Sequence, residues 1–153
     1  MPRIFPNRLY ASGVGTKWAF LRWSDAQSPY LDRLFLIKTP WGAVSLNWIN
    51  QPDSGDPHDH TSAFLSILLK GWYVEYRETT PGKTTLRELR WVRFFNYMRG
   101  CDWDAHRILD VSPGGALTLC LMGPKVRDWC YHTPEGPILW SDYEAWLKEF
   151  NAI

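Results

Sequence analysis

The stretch GDPHDHTSAFLSILLKG, residues 55–71, combines a structural and a chemical pattern. A loop rich in breaking residues is followed by a largely apolar run that ends at Gly71. A short apolar run bounded by such residues is typical of a buried β-strand. His58 and His60 are two positions apart, so in an extended chain their side chains lie on the same face. The stretch therefore predicts a strand that begins beside two imidazoles directed to one side.

Similar short runs occur on both sides of this stretch and predict an all-β chain. Residues 86–96 fit a strand or a short helix, and a preceding turn favours strands. SDYEAWLKEF, residues 141–150, predicts the one helix, with Ser141 as its N-cap and Glu144 three positions later. The predicted strands are 17–23, 33–39, 42–49, 62–69, 72–78, 86–96, 105–111, 115–122 and 126–132. This pattern favours an antiparallel sandwich or barrel.

Length and composition predict one globular domain over residues 1–153, with an irregular N-terminal segment over residues 1–16. The chain is 45% hydrophobic and 22% charged, with a net charge of +1. A nearly neutral chain has no strong field that would favour nucleic acid or an acidic membrane surface. No apolar run approaches the ~20 residues of a membrane span. We expect no membrane association, and nucleic-acid binding is disfavoured.

The three cysteines suggest the cellular compartment. Cys101, Cys120 and Cys130 form an odd number without a CxxC pair, which does not indicate a cysteine-rich zinc site. The N-terminus has no long apolar segment typical of a signal peptide. An odd cysteine count without such a signal predicts a reducing, cytoplasmic location.

The histidine pair would form a facial metal site if a third donor came from another strand. His106, at the start of AHRILDV (105–111), is the natural third donor. His132 is followed by the loop sequence TPEGP and is expected to be exposed. The alternative is that DPHDH is only a polar turn before a strand. The predicted ligands are therefore His58, His60 and His106.

Two segments resemble the motifs of the cupin superfamily. GDPHDHTSAFLSILLKG (55–71) resembles the first motif, with Gly, HxH and an apolar strand closing on Gly. AHRILDVSPGGALTLCLMGPK (105–125) resembles the second, which supplies one more histidine. GWYVEY (71–76) and TLCLMGPKVRDW (118–129) are also similar to stretches of small single-domain cupin-like proteins of phages and bacteria. The resemblance implies a jelly-roll β-barrel, here with a short C-terminal helix.

One departure from the first motif changes the implied ligand set. The motif has a glutamate four or five residues after its second histidine, where this chain has Phe64 and Leu65. A three-histidine site resembles that of the thiol dioxygenases and implies one divalent ion, with Fe(II) favoured. Zinc, manganese or nickel would fit the same ligands. Glu75 could serve as a fourth ligand or as an outer partner of a ligand, unless it faces the surface.

Catalytic side chains are predicted from their places near these motifs. Tyr73 shares a strand face with Glu75 and could donate to a bound molecule. Arg107 could meet an anionic substrate, although alternation directs it away from His106; Arg93 and Arg127 are further candidates. By the same alternation Asp59 faces away from the histidine pair. Two other carboxylates, Asp56 and Asp104, could orient histidines or be solvated.

Three functions remain open from the sequence, because a fold does not determine function. The favoured one is a mononuclear Fe(II) dioxygenase-like oxidoreductase acting on a small molecule. A metal-dependent isomerase or hydrolase is the second. A non-catalytic cupin that binds a nucleotide or sugar is the third, with Trp72, Trp91 or Trp129 available for stacking. A homodimer is expected, because barrels of this type often cover an exposed sheet edge.

Overall fold

The computed structural model describes residues 18–24, 30–80 and 82–151, and the predicted irregular segment 1–16 lies outside them. The described residues form eleven strands and one helix. They are β1 (Ala19–Trp23), β2 (Leu31–Thr39), β3 (Gly42–Ile49), β4 (Phe64–Lys70), β5 (Tyr73–Thr79), β6 (Leu86–Val92), β7 (Phe95–Met98), β8 (Asp104–Val111), β9 (Ala116–Met122), β10 (Cys130–Thr133), β11 (Gly136–Leu139) and α1 (Tyr143–Asn151). The predicted antiparallel all-β architecture with a short C-terminal helix is confirmed.

The first sheet has six antiparallel strands in the order β1-β2-β3-β9-β4-β7. Its inner face is unusually polar. On β3 the buried positions alternate and include Ser45, Asn47 and Ile49. Thr118 on β9 and Ser66 on β4 are also buried. Buried hydroxyl and amide groups cost free energy unless they are hydrogen-bonded, so this face is not an ordinary apolar core.

The second sheet is assembled from two parts and a short connecting segment. β6, β5 and β8 form one part, and the β10–β11 hairpin forms the other. Residues 57–59 lie between them, because His58 bridges both His106 on β8 and Tyr131 on β10. His58 N donates to His106 O at 2.8 Å and His106 N donates to His58 O at 2.9 Å. This segment therefore fixes the histidine motif against β8.

The apolar core lies at one end of the space between the sheets. It is formed by Ile49, Tyr73, Val92, Ile108 and Ala116. Burying each large side chain contributes roughly 1.5–3 kcal/mol relative to leaving it exposed. The turn from β4 to β5 closes against this core through Gly71, which has a φ of +78°. A Cβ atom there would lie 2.6 Å from the carbonyl oxygen of Gly115, so the close approach requires glycine.

Several predicted boundaries differ from the structure. Residues 86–96 form strands rather than a helix, but they divide into β6 and β7 with a bend between them. The predicted strand 126–132 begins only at Cys130, since Val126 N donates to Thr61 O outside the β10 ladder. The hairpin partner β11 was not predicted. The helix starts at Tyr143 and not at Ser141, because Trp146 N donates to the carbonyl of Asp142, which takes the N-cap position.

Among the described residues, no helix has both the length and the apolar character needed to cross a membrane.

Candidate metal centre

The structure brings His58, His60 and His106 together around one point. The ring centroids are 5.0 Å apart for His58 and His60, and 4.9 Å apart for each of the other two pairs. One ring nitrogen from each histidine lies within 4.8 Å of the others. The backbone explains this triangle, because bridged residues on neighbouring strands direct their side chains to the same face. His60 shares that face as the residue two positions after His58.

The distance between two of the nitrogens fits a shared cation. His60 Nε2 and His106 Nε2 are 3.0 Å apart. Two imidazole nitrogens bound at about 2.1 Å and at a right angle are separated by about 3.0 Å. This donor set of three imidazoles suits Fe(II), Zn, Mn or Ni, and the residues present therefore fit a divalent metal ion.

Burial keeps two of the imidazoles in the neutral form that a metal requires. Desolvation, with a smaller contribution from the charge of His106, lowers the pKa of His58 to about 3. The same two causes, together with the charge of His58, hold the pKa of His60 well below its ordinary value. Because these pKa values are low, both rings are neutral at neutral pH and carry a free lone pair. Metal binding requires this form, since a protonated imidazole cannot bind a metal.

Glu75 determines which nitrogen of His106 is available. Its Oε2 lies 2.7 Å from His106 Nδ1, so the protonated Nδ1 donates to the carboxylate and Nε2 keeps its lone pair. Asn96 Nδ2 donates to the same Oε2 at 2.9 Å. Burial raises the pKa of Glu75, but its hydrogen bond to His106 and nearby cationic charges outweigh this and lower it. Glu75 therefore lies behind His106 as an outer partner, and the alternative of a surface-facing glutamate is wrong.

Arg77 completes the network behind Glu75. Its Nε and Nη2 donate to the two oxygens of Asp104 at 2.7 and 2.9 Å. Its Nη1 donates to Asn96 Oδ1 at 3.2 Å and lies 3.5 Å from Glu75 Oε1. All four side chains are buried. A fully bonded buried network holds its members in one arrangement, so the orientation of His106 is set before any ligand binds.

Asp59 supports the site from the opposite side. As predicted, it faces away from the histidine pair, and its Oδ1 accepts from Cys130 N at 2.8 Å and from Arg127 Nη1 at 2.5 Å. Its Oδ2 lies 2.9 Å from His132 Nε2. His132 lies at the end of the predicted strand 126–132, but the prediction that it is exposed is wrong, because its side chain on β10 is only 18% exposed. Asp59 thus joins the histidine segment to the β10–β11 hairpin.

A cavity of about 170 Å³ lies between the two sheets at this point. One side, the histidine wall, is formed by His58, His60 and His106. The facing side, the polar wall, is formed by Arg33, Asn47 and Thr118 of the six-stranded sheet. This volume is below the ~300–1,000 Å³ of typical drug-sized ligand sites, so the cavity suits a small molecule.

The two predicted catalytic residues lie in different places. Tyr73 lines the cavity, and its hydroxyl accepts a hydrogen bond from Asn96 Nδ2 at 2.9 Å. Burial, reinforced by the charge of Glu75, raises the pKa of Tyr73 well above its usual value. Arg107 does not line the cavity, because it follows His106 on β8 and pairs opposite Tyr76 on the other strand face. The structure therefore gives no support for a contact between Arg107 and a molecule in this cavity.

The other predicted residues lie outside the cavity lining, although the ring of Trp129 is 5.5 Å from that of His58. Arg93 lies over the exposed ring of Trp91 at 4.8 Å. Asp56 accepts from the hydroxyl of Tyr143 at 2.7 Å, and Asp104 is engaged by Arg77. Neither carboxylate bonds to a histidine among the described residues, and neither is fully solvated, since Asp104 is buried and Asp56 is half-buried. The three tryptophans proposed for stacking, Trp72, Trp91 and Trp129, do not line the cavity.

The polar wall was not identified from the sequence. Arg33, Asn47 and Thr118 each lie on a correctly predicted strand, but the prediction did not assign which face points inward. A shift of one residue in register exchanges the two faces of a strand. The alternation of Ser45, Asn47 and Ile49 on β3 was the one signal that could have located this wall.

No family model and no curated protein sequence matches the chain. Several solved structures do. The Bacillus subtilis oxalate decarboxylase, a protein with Mn(II) centres, matches 93% of this chain at 10% identity and a TM-score of 0.51, and the match spans only 38% of that protein. An RmlC-like cupin from Shewanella frigidimarina matches 77% of this chain and 92% of its own at 14% identity and a TM-score of 0.46. A cupin-2 domain from Rhodospirillum rubrum matches 85% of this chain and 82% of its own, at 15% identity and a TM-score of 0.45. At these identities the likeness concerns the fold, and the chain has the β-barrel fold of the cupins.

Proposed function

We propose that the chain binds one divalent metal ion through His58, His60 and His106 and acts on a small molecule held in the adjoining cavity. A mononuclear Fe(II) dioxygenase-like oxidation is the favoured reaction. The observation that carries the proposal is the convergence of three histidine rings at 4.9–5.0 Å on one cavity wall. A polar turn would not need three imidazoles from two separate segments to meet.

The ligand set supports redox or Lewis-acid chemistry. Three neutral imidazoles leave a divalent ion its full charge and leave several coordination positions open. A bound ferrous ion would supply those positions to O₂ and to a chelating substrate. The preference for iron rests on the resemblance of the three-histidine site to that of the thiol dioxygenases. We also propose that the protein is located in the cytoplasm.

The side chains around the cavity have separate roles in this proposal. Glu75 holds the Nδ1 proton of His106 and thereby directs Nε2 to the metal position. Tyr73 keeps its hydroxyl proton at neutral pH, and because its oxygen already accepts from Asn96, that proton is available for a bound molecule. Apolar residues such as Ile49 and Ile108 restrict water in the cavity.

The test is metal analysis and O₂ uptake on anaerobically purified protein. Wild type and His132→Ala are expected to hold about one iron per chain, because His132 contacts Asp59 and no predicted ligand. The His58→Ala, His60→Ala and His106→Ala variants should each lose the metal. Iron-loaded wild type should then consume O₂ with a substrate found by screening thiols and small acids.

The outcomes separate the alternatives. Metal-dependent turnover that is indifferent to O₂ would replace the oxygenase with an isomerase or hydrolase. A wild-type protein without metal, or a His132→Ala variant that loses metal while His106→Ala keeps it, would overturn the ligand assignment. Unchanged affinity for a small ligand in His106→Ala would indicate a binding protein.

A homodimer also remains a proposal. Large apolar side chains are exposed along β6 and β7, where Leu89 is 70% exposed and Phe95 is 65% exposed. These strands form outer edges of the two sheets, and edge strands of this kind often pair with a partner. A monomeric mass by light scattering in solution would contradict the proposal.

A further inference from the structure

We infer that Arg33 anchors the carboxylate of a small anionic substrate, with Thr118 as a second hydrogen-bonding group on the same wall. This inference rests on the proposed function, because it names the class of molecule that the metal would act on. It concerns the wall that faces the histidines.

The register of β2, β3 and β9 aligns the three side chains of the polar wall in one row across the sheet. Arg33 on β2 pairs directly opposite Asn47 on β3, and Asn47 pairs directly opposite Thr118 on β9. Residues opposite each other on neighbouring strands project to the same face. All three side chains line the cavity that the histidines also line. A molecule in the cavity would therefore meet this row on one side and the metal site on the other.

The guanidinium of Arg33 is only partly engaged. Its Nε donates to Asn47 Oδ1 at 3.1 Å, which fixes the plane of the guanidinium group. Within residues 18–24, 30–80 and 82–151 it has no carboxylate within ion-pair distance. Desolvation lowers the pKa of the Arg33 guanidinium, which reflects the cost of holding this charge away from water. Arg33 is half-buried, and a partly desolvated cation without an anion is costly, so an anion supplied by a ligand would compensate it.

Thr118 provides an independent observation. Its side chain is 1% exposed, and its Oγ1 has no hydrogen-bond partner among the described residues. Buried hydroxyl groups are normally bonded, and an unbonded one requires an explanation. An oxygen of a bound carboxylate would accept from this hydroxyl and satisfy it.

In the part of the chain that the structure describes, one carboxylate lines the cavity, and it does not neutralise Arg33. Asp53 lies beside β8, where its Oδ2 accepts from Ile108 N at 2.8 Å and its own N donates to Ile108 O. It therefore belongs to the sheet that carries His106, while Arg33 belongs to the facing sheet. The polar wall is thus the cationic side of the cavity.

These groups define a ligand class by their chemistry. A planar guanidinium binds a carboxylate through two parallel N–H groups, which a neutral amide cannot match. The cavity of about 170 Å³ limits the rest of the molecule to a few heavy atoms. The inferred substrate is a short-chain carboxylic acid whose other end carries the group that reaches the metal.

The experiment compares propionate with its neutral isostere propionamide by NMR titration of the full chain. Both probes are titrated into metal-free and zinc-loaded protein, so that a carboxylate bound at the metal is distinguished from one bound at Arg33. The variants are Arg33→Gln, Arg33→Lys and Thr118→Val. Arg107→Gln is the matched control, because Arg107 does not line the cavity. Metal content is measured on the same zinc-loaded samples.

Wild type is expected to bind propionate about tenfold or more tightly than propionamide, with or without zinc, because a hydrogen bond to a charged group is worth more than a neutral one. Arg33→Gln should remove this preference and Thr118→Val should reduce it. Arg107→Gln should leave it unchanged. Arg33→Lys keeps the positive charge but loses the two parallel N–H donors of the guanidinium, so it should retain part of the preference for propionate. This variant serves as the test if Arg33→Gln does not fold.

A preference that persists in Arg33→Gln, or that is full in Arg33→Lys, would overturn the inference, as would its absence in wild type. Full zinc occupancy without an Arg33-dependent preference would overturn the substrate class and leave the metal proposal standing. An Arg33-dependent preference in a protein that binds no zinc would support the anion site and contradict the proposed function.

Discussion

The histidine wall and the polar wall border the same cavity, but their polar groups have different partners. Behind the histidine wall, Glu75, Asn96 and Arg77 are bonded to one another, and Glu75 is bonded to His106. On the polar wall, among the described residues, Thr118 Oγ1 has no partner, and Arg33 makes one hydrogen bond, through Nε, beside its contact with the ring of Phe35. A network whose hydrogen bonds are all formed fixes a side chain before a ligand binds, whereas a group with unused hydrogen-bond donors can bind a ligand. The first arrangement suits a metal position and the second suits a substrate.

The largest expected effect is on the network behind the histidine wall. Arg77→Met removes the cation that Asp104 and Glu75 share, which leaves these two buried carboxylates with only the longer ion pairs to Arg99 and Arg90. We expect a loss of about 3–5 kcal/mol in the free energy of unfolding, measured by urea denaturation. Arg87→Met is the control on the neighbouring strand, where an exposed arginine meets Glu78, and its effect should be much smaller. Equal losses of stability in the two variants would contradict a structural role for the buried network around Arg77.

The next effect concerns metal affinity. Glu75→Gln removes the negative charge that accepts from His106 Nδ1, so the imidazole becomes a weaker ligand. Metal affinity should fall about 10- to 100-fold, measured by competition with a chelator. Glu78→Gln on the same strand is the matched control, since Glu78 bonds to Tyr76 and Arg87 and not to a histidine. An unchanged affinity in Glu75→Gln would show that the outer partner does not tune the site.

A pH effect should follow in the metal-free protein. The pKa of folded His58 is about 3, and an unfolded histidine has a pKa near 6.5, so below pH 6.5 the unfolded chain binds the additional proton. The free energy of unfolding should therefore decrease as the pH falls from 7 to 5, a range above the ordinary carboxylate pKa values. The His58→Ala variant should show a shallower slope. Equal slopes in the two proteins would contradict a neutral, buried His58.

The smallest change in the free energy of unfolding is expected on the polar wall, where a substitution should be neutral or stabilising. Thr118→Val replaces an unbonded buried hydroxyl with a methyl group of similar size. Stability should stay within about 0.5 kcal/mol of wild type or rise, because no hydrogen bond is lost. Ser45→Ala, at a buried serine whose hydroxyl donates to Asn47 at 3.0 Å, is the comparison and should be destabilising. A clear loss in Thr118→Val alone would mean that its hydroxyl has a structural partner.

The histidine wall could be predicted from the sequence because its pattern is local. The spacing of His58 and His60 fixes their common face, and His106 was the one remaining histidine on a predicted strand interior. The polar wall could not be predicted in this way. Its three residues come from strands whose mutual register depends on the whole sheet, and Arg33, Asn47 and Thr118 have no sequence motif in common.

The errors in the predicted fold have a similar cause. The β10–β11 hairpin is short, with four residues in each strand, and it is held by Asp59, which bonds to Cys130 N and His132 from a distant part of the chain. Such long-range hydrogen bonds leave no periodic signal in the sequence. For the same reason His132 was predicted to be exposed, and Glu75 could not be distinguished from a surface residue on an alternating strand.

The three-histidine metal site is tested most directly by a crystal structure of the iron-loaded protein with anomalous data collected at the iron absorption edge. We expect one anomalous peak, bounded by ring nitrogens of His58, His60 and His106, with Glu75 bonded to His106 Nδ1 and outside the coordination sphere. A peak at His132 and Asp59, or no peak in protein that binds iron in solution, would contradict metal binding by His58, His60 and His106.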